Sequence, residues 1–483
     1  METLEKDLEN NLQTLKKRLP AEDILTYSFS ASSGAKFAIV YADGVVNKEF
    51  LGELAARPLT RLTAEKPTVE EVKSTLLFPE LKEERDLEKI IAEILDGNSA
   101  LLIDGEDVCV IVGAKSPPTR AVVEPPTSVT VKGPREGFVE DVKINMGLLR
   151  KRLKTPKLLF KMLKAGKQSE SNIAICYVDG IARKEVVEAI EKKIGETEID
   201  ILVDSSFLAD ELAPNRHSIF PQIGTTEKPD IFAAKLCEGR VGILVDGSPV
   251  ALTVPFLLVE DFQASDDYFT SPFSATVTRI LRTLAVLAAL LLPAFYVASQ
   301  LFKLQLLPLN LTLTIASSIQ GIPLSPSLEM FLVLFVLEVI KEASIRMPKY
   351  VGMALSVVGA LVLGETAVSA GFVSTPAIII VAFSGLCLYT VPDFTETGTL
   401  LRWLLLIAAG SFGAFGIVVT VAFLLYYLVS TDAFGAPLLA PFAPLIPSDL
   451  KDSLVKRNGA ALDKRPTVLR SDNRTRRKRK QEN

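Results

Sequence analysis

The sequence predicts an α/β N-terminal region of two duplicated subdomains, followed by an all-α polytopic membrane domain. Three observations carry this. Apolar residues make up 48% of the 483 residues, but they concentrate between Arg282 and Val429. There the runs reach the roughly 20 residues that a helix needs to cross a bilayer core of about 30 Å. The first half is charged throughout and repeats itself. From Lys451 the chain is polar and basic, as cytoplasmic segments flanking a membrane helix are. The resulting division is an N-terminal helical segment at 1–24, a first α/β subdomain at 25–125, a linker helix within 126–164 and a second α/β subdomain at 165–272. A transmembrane domain at 278–430 and a basic cytoplasmic tail at 431–483 complete it.

Residues 1–18 are charged and helical in pattern, without the apolar core of a secretory signal, so the N-terminal region is expected to stay on the side where it is made. Strand signals fall at 36–41, 100–104 and 108–112, then at 173–178, 199–204, 241–246 and 250–254. Helical periodicity marks 86–95 and 183–194. Phe37–Glu49 matches Ile173–Glu185 at an offset of 136 residues, and Gly97–Gly105 matches Gly239–Gly247 at 142. Two matches, in order and at nearly equal offset, argue for duplication. A period this long means paired domains rather than a solenoid.

Asp43, Asp104, Asp179 and Asp246 each precede a glycine at a strand end. Turn chemistry accounts for them without catalysis, because glycine tolerates positive φ. The one histidine, His217, has no metal partner nearby in sequence and reads as a surface or satisfied polar group. Cys109, Cys176, Cys237 and Cys387 form no CxxC pair, so they read as reduced, small hydrophobes. Nothing resembles a phosphate loop, a zinc site or a nucleophile triad, so neither an enzyme nor a cofactor is expected. The net charge of −4 gives no reason to expect nucleic acid. The basic run at Arg474, Arg476, Arg477, Lys478, Arg479 and Lys480 reads instead as a cytoplasmic marker.

Between the repeats lies Gly133-Pro-Arg-Glu-Gly-Phe-Val-Glu-Asp141, then Asn145 and the basic run Arg150–Lys154. This stretch resembles a signature of the A subunits of the GerA spore germination family. Further matches are Ser218-Ile-Phe-Pro-Gln222, Thr226-Glu-Lys-Pro-Asp230, Val245-Asp-Gly-Ser-Pro249 and Asp266-Asp-Tyr268. In the apolar half, Val358-Gly-Ala-Leu-Val-Leu-Gly364 and Phe434-Gly-Ala-Pro437 also match. Lys228 departs from the arginine more usual there. The resemblance implies thioredoxin-like subdomains without redox cysteines, and a receptor in the inner membrane of a dormant spore. It implies as partners a transporter-like B subunit that senses the nutrient and a lipoprotein C subunit. It also implies a homo-oligomeric ring that conducts ions. Competing readings are an accessory A-type paralogue, a non-conducting scaffold and a secondary transporter.

Six apolar segments appear, at 280–302, 306–322, 326–346, 351–372, 375–392 and 402–429. Four spans (the first, third, fourth and last) would keep Lys341, Arg346 and Lys349 inward and leave the second and fifth segments re-entrant. In 351–372, small residues including Gly352, Gly359, Gly364 and Gly371 suit close helix packing. The other side carries Leu355, Val358, Val362, Glu365 and Ser369. A mid-membrane carboxylate must face water or a partner. This side is therefore expected to line a pore, with Val358 and Val362 as an apolar gate and Glu365 favouring cations. The bland alternative pairs Glu365 with Lys341 or Arg346. Glu338 is expected to pair locally with Lys341, with a coupling role for the two as the sharper reading.

Overall fold

The structure, a computed structural model, describes residues 3–116, 132–302, 308–348, 351–352, 364–457, 462–471 and 473–476. The first α/β unit begins where Asp7 accepts the backbone N–H groups of Glu9 and Asn10, orphan donors at the start of α1 (Leu8–Arg18). Strands β1 (Ile24–Ser30), β2 (Lys36–Ala42), β3 (Leu81–Glu84), β4 (Ser99–Ile103) and β5 (Cys109–Val112) form an antiparallel sheet in the order β1-β2-β4-β5-β3. A helical stretch covers one face, from α2 (Lys48–Phe50) through a π-helical segment, Leu51–Ala56, to α3 (Arg57–Thr60) and α4 (Val69–Thr75). The other face meets α1 and α5 (Leu87–Leu95). With both faces covered, β4 and β5 are buried at every position, which is why they read as unbroken apolar runs.

The second unit repeats the plan. Helix α6 (Val142–Arg152) precedes β6 (Leu158–Ala165), β7 (Ser171–Val178), α7 (Lys184–Glu196) and α8 (Ser205–Leu212). Then come β8 (Gly224–Thr226), α9 (Pro229–Glu238), β9 (Val241–Val245) and β10 (Ala251–Val254). The sheet order is β6-β7-β9-β10-β8, again all antiparallel. Helix α6 lies in the stretch expected as a linker, yet it serves this unit as α1 serves the first. Asp141 caps it as Asp7 caps α1. Asn145 accepts from the Val139 N–H and donates to the Val139 carbonyl, as Asn11 does with Glu5. Asp246 accepts from the Val142 N–H, as Asp104 does from Leu8. The four Asp-Gly turns hold Gly44, Gly105, Gly180 and Gly247 at φ of +80°, +92°, +72° and +88°.

One expected strand is absent. Residues 199–204 form an extended loop held against the β6–β7 turn, where the Lys167 N–H donates to the Ile199 carbonyl and the Leu202 N–H to Ser169 Oγ. Asp204 then caps α8. The two units meet at a buried ion pair in which Arg150 donates to both carboxylate oxygens of Asp23, at 2.7 and 3.0 Å.

The apolar half is a bundle of α10 (Pro272–Phe302), α11 (Leu309–Ile319), α12 (Pro326–Arg346), α13 (Thr375–Leu388) and α14 (Thr395–Ser430). The expectation of one span at 402–429 needs correction. Gly413 has φ +60° and ψ −144°, and α14 folds back on itself there. A straight helix of 36 residues would separate its ends by about 54 Å. Instead, Thr397 Oγ1 donates to the Ile219 carbonyl at 3.0 Å and Tyr427 Oη donates to Ser218 Oγ at 3.0 Å. Leu401 packs in one cluster with Leu428, and Leu405 and Ala409 pack with Ile417 and Val421. The two legs therefore run antiparallel, with both ends against the second α/β unit and the tip beside Phe302.

Candidate functional site

The sites of interest lie where charge enters the bundle. Arg402, seven residues into α14, is 1% exposed. Its Nη2 donates to Glu338 of α12 at 2.6 Å and its Nη1 to Ser384 of α13 at 3.1 Å. Ser384 donates in turn to the Ala289 carbonyl of α10 at 2.8 Å. Glu338 also pairs with Lys341 one turn on. The expected local pair is thus present, but as one arm of a network that ties four helices together. An arginine in an apolar helix must find such partners, because the bundle interior offers no water to replace them.

The expected pore-lining face is described only in part. Leu355, Val358, Val362 and the packing residue Gly359 lie outside the described residues. Residues 364–369 are helical, and Glu365 and Ser369 are exposed on this stretch. Glu365 has no ion pair among the described residues, and the alternative partners are engaged elsewhere, Lys341 with Glu338 and Arg346 with Glu342 at 2.6 Å. Of the glycines assigned to packing, Gly352 is buried, and an added Cβ would sit 2.9 Å from the Ser344 carbonyl oxygen. Gly364 and Gly371 meet no neighbour within 4 Å of an added Cβ. Gly371 instead ends its helix at φ +69°, with its N–H on the Val368 carbonyl and the Phe372 N–H on that of Ala367. That is a glycine helix stop.

At the base of α10 lies a clasp that the sequence reading does not contain. Asp267, 2% exposed, accepts from Arg279 Nε at 2.9 Å and from Arg282 Nη2 at 2.7 Å. Arg279 reaches on to Asp452 Oδ1 at 3.0 Å and the Ser453 carbonyl at 2.8 Å. Burial pushes the Asp267 carboxyl up, and the hydrogen bonds from the two arginines more than reverse this, leaving it below its ordinary value. The tail continues onto the second unit, where Arg465 Nε donates to the Cys237 carbonyl at 2.6 Å. Asp266-Asp-Tyr268 was legible as a motif, but its partners stand more than 180 residues away along the chain for Asp452. The four cysteines are free, and three of them are buried. His217 is exposed.

Paired antiparallel α/β units, clasped to an apolar bundle through buried arginines, define a two-part protein whose head and base are mechanically joined. A family model described as "Bacillus/Clostridium GerA spore germination protein" matches residues 10–468. Similar proteins include spore germination protein KA of Bacillus subtilis, 31% identical over 91% of this chain and 82% of that one. Spore germination protein GerQA of Bacillus cereus is 32% identical over 98% and 94%. A Bacillus subtilis protein described as the uncharacterized membrane protein YfkQ is 34% identical over 95% and 91%. A crystal structure of the N-terminal domain of the A subunit of the Bacillus megaterium spore germinant receptor GerK3 aligns with 53% of this chain and 98% of its own, at 24% identity and a TM-score of 0.41. The chain belongs to the GerA spore germination family, on its A-subunit side.

Proposed function

We propose that this chain is the A subunit of a nutrient germinant receptor and forms an oligomeric, cation-conducting assembly, with no enzymatic activity of its own. It crosses the inner membrane of the spore several times and keeps its α/β units and tail in the cytoplasm. Its partners are a nutrient-sensing, transporter-like B subunit and a lipoprotein C subunit. The common strand order supports reading the two α/β units as copies of one ancestral domain; the thioredoxin-like expectation does not follow from it, because every strand pair is antiparallel and a thioredoxin-like unit contains a parallel βαβ.

The observation that carries the conducting role is Glu365. Its carboxylate is exposed at the side of the bundle and has no cation partner among the described residues. On a helix surrounded by lipid that position is costly. A ring of copies would supply the aqueous lumen it needs, with a repeated negative charge favouring cations. Ser369, one turn on and on the same side of the helix, is also exposed.

The test is ion release from spores after nutrient addition. Glu365→Gln should slow the release of monovalent cations while leaving protein level and subunit assembly intact. Normal release with normal abundance would remove the conducting role and leave a scaffold or an accessory subunit.

A further inference from the structure

Among the described residues three carboxylates are almost wholly buried: Asp23 and Asp267 at 2% exposure and Glu329 at 1%. Asp23 has Arg150, and Asp267 has Arg279 and Arg282. Glu329 has no lysine, arginine or histidine. It sits one turn into α12, and one carboxylate oxygen accepts the backbone N–H of Ser374, the residue that caps α13 by accepting the Ala377 N–H at 3.3 Å. The N-terminus of α13 offers about half a positive charge, so part of the carboxylate charge has no counterpart.

A polar group beside it is also unsatisfied. Tyr296 of α10 is 4% exposed and packs in one cluster with Met330, next to Glu329, and Ala377 in the first turn of α13. Its hydroxyl faces Ser374 and Glu329 but makes no hydrogen bond of good geometry. Buried polar groups are rarely left this way. A guest that is small, positive and bound by oxygen would answer both deficits. No group of three acidic, cysteine or histidine ligands exists among the described residues, which disfavours a divalent ion, because such ions gather several carboxylates.

We propose that Glu329, Tyr296 and Ser374 form a binding site for a small monovalent cation, a proton or an alkali ion, in the half of the bundle remote from the α/β units. The site lies within one chain and uses no residue of the Glu365 face, so it stands or falls separately from the conducting ring. Among the described residues Tyr296 is the other titratable side chain at the site; α11, the first turns of α13 and residues 408–416 of α14, which pack against Ser327, carry none.

The only tryptophan, Trp403 of α14, stacks edge-on against Phe331, two residues from Glu329, with ring centroids 4.6 Å apart. It reports on the site without an added label. The experiment titrates the full chain in lipid nanodiscs with potassium or sodium chloride against choline chloride at constant ionic strength, and separately with pH, following Trp403 fluorescence. A saturable response to the alkali ion identifies an alkali site, and a response to pH alone identifies a proton site. Either should vanish in Glu329→Gln. Tyr296→Phe keeps the packing and the carboxylate, and should shift the alkali midpoint or the pH response by about tenfold, the worth of one hydrogen bond to a charged group. No response in the wild-type chain, an unchanged response in Glu329→Gln, or an unshifted midpoint in Tyr296→Phe where Glu329→Gln fails to fold, would each overturn the proposal. Normal ion release in Glu365→Gln would leave this result untouched.

Discussion

Asp261 and Asp267 stand six residues apart and are driven in opposite directions. Asp267 faces two arginines, and its pKa lies below the ordinary 3.8. Asp261 faces Asp393 and Glu260, its Oδ2 is buried without a partner, and burial with those negative charges raises its pKa well above 3.8. The stability that Asp267 contributes is therefore present above pH 3.8 and is lost as pH falls through its depressed folded value. That of Asp261 is present below pH 3.8 and is lost as pH rises through its raised value, so its burial weakens the fold at neutral pH relative to acid. Asp267→Asn should cost about 3–5 kcal/mol at pH 7, the usual result of stranding a buried arginine, and should flatten the acid limb of a denaturation profile. Asp261→Asn should instead stabilise the chain at pH 7, read as a higher denaturant midpoint with unchanged slope. Neither partner set was legible in the sequence. The Asp-Gly turns were legible, because positive φ is a local demand that one glycine meets. The Glu338–Arg402 pair spans 64 positions, and periodicity along a single helix cannot reveal it.

The elements most legible in the sequence were those buried on both faces. Strands β2, β4, β5, β7, β9 and β10 all carry continuous apolar runs, and each was expected within two residues of its ends. The edge strands β1, β3, β6 and β8 were missed, since one margin is unpaired and their side chains mix polar or charged groups with partial burial, as in Ile24–Ser30 and Leu81–Glu84. The reversal in α14 was missed for another reason. Gly410, Gly413 and Gly416 lie within an unbroken apolar run, and small residues there also suit close helix packing. Gly413 is the hinge because its backbone is accessible to glycine almost alone. An added Cβ would also meet Phe302 Cδ2 at 2.7 Å. Gly413→Ala should therefore destabilise the bundle by about 1–3 kcal/mol, seen as a lower thermal midpoint. Gly410→Ala serves as the control. Its backbone is helical and its new Cβ would meet only the Ser327 side chain, the hydroxyl at 2.8 Å and Cβ at 3.3 Å, so it should lose much less.

For the molecule as a whole, the hairpin changes the number of membrane crossings we propose while preserving the sidedness argued from charge. Helix α10 leaves the α/β units at Pro272 and ends beside the Gly413 tip. Glu329 and Ser374 meet toward that far end, whereas Glu338 meets Arg402 nearer the α/β end, so α12 and α13 both run back toward the α/β units. We propose a return pass between them, in a stretch that lies mostly outside the described residues, and with the two legs of α14 the proposed count becomes six rather than four, α13 with its 14 residues being the shortest of them. Both counts are even, and both keep Lys341 and Arg346 toward the cytoplasm, in keeping with the excess of basic residues there. They differ in one place that can be reached by labelling. If 402–429 were a single span, positions 396 and 430 would open on opposite sides of the membrane. In the hairpin, Glu396 and Ser430 are exposed at the same end, near the second α/β unit, and Phe415 is exposed at the tip. Cysteines 109, 176 and 387 are buried and should stay silent, so replacing the half-buried Cys237 by alanine leaves a low background. In sealed vesicles, an impermeant maleimide should label Glu396→Cys and Ser430→Cys from the side that also labels the tail, and Phe415→Cys only from the other. Labelling of positions 396 and 430 from opposite sides would return the count to a single final span and remove the hairpin.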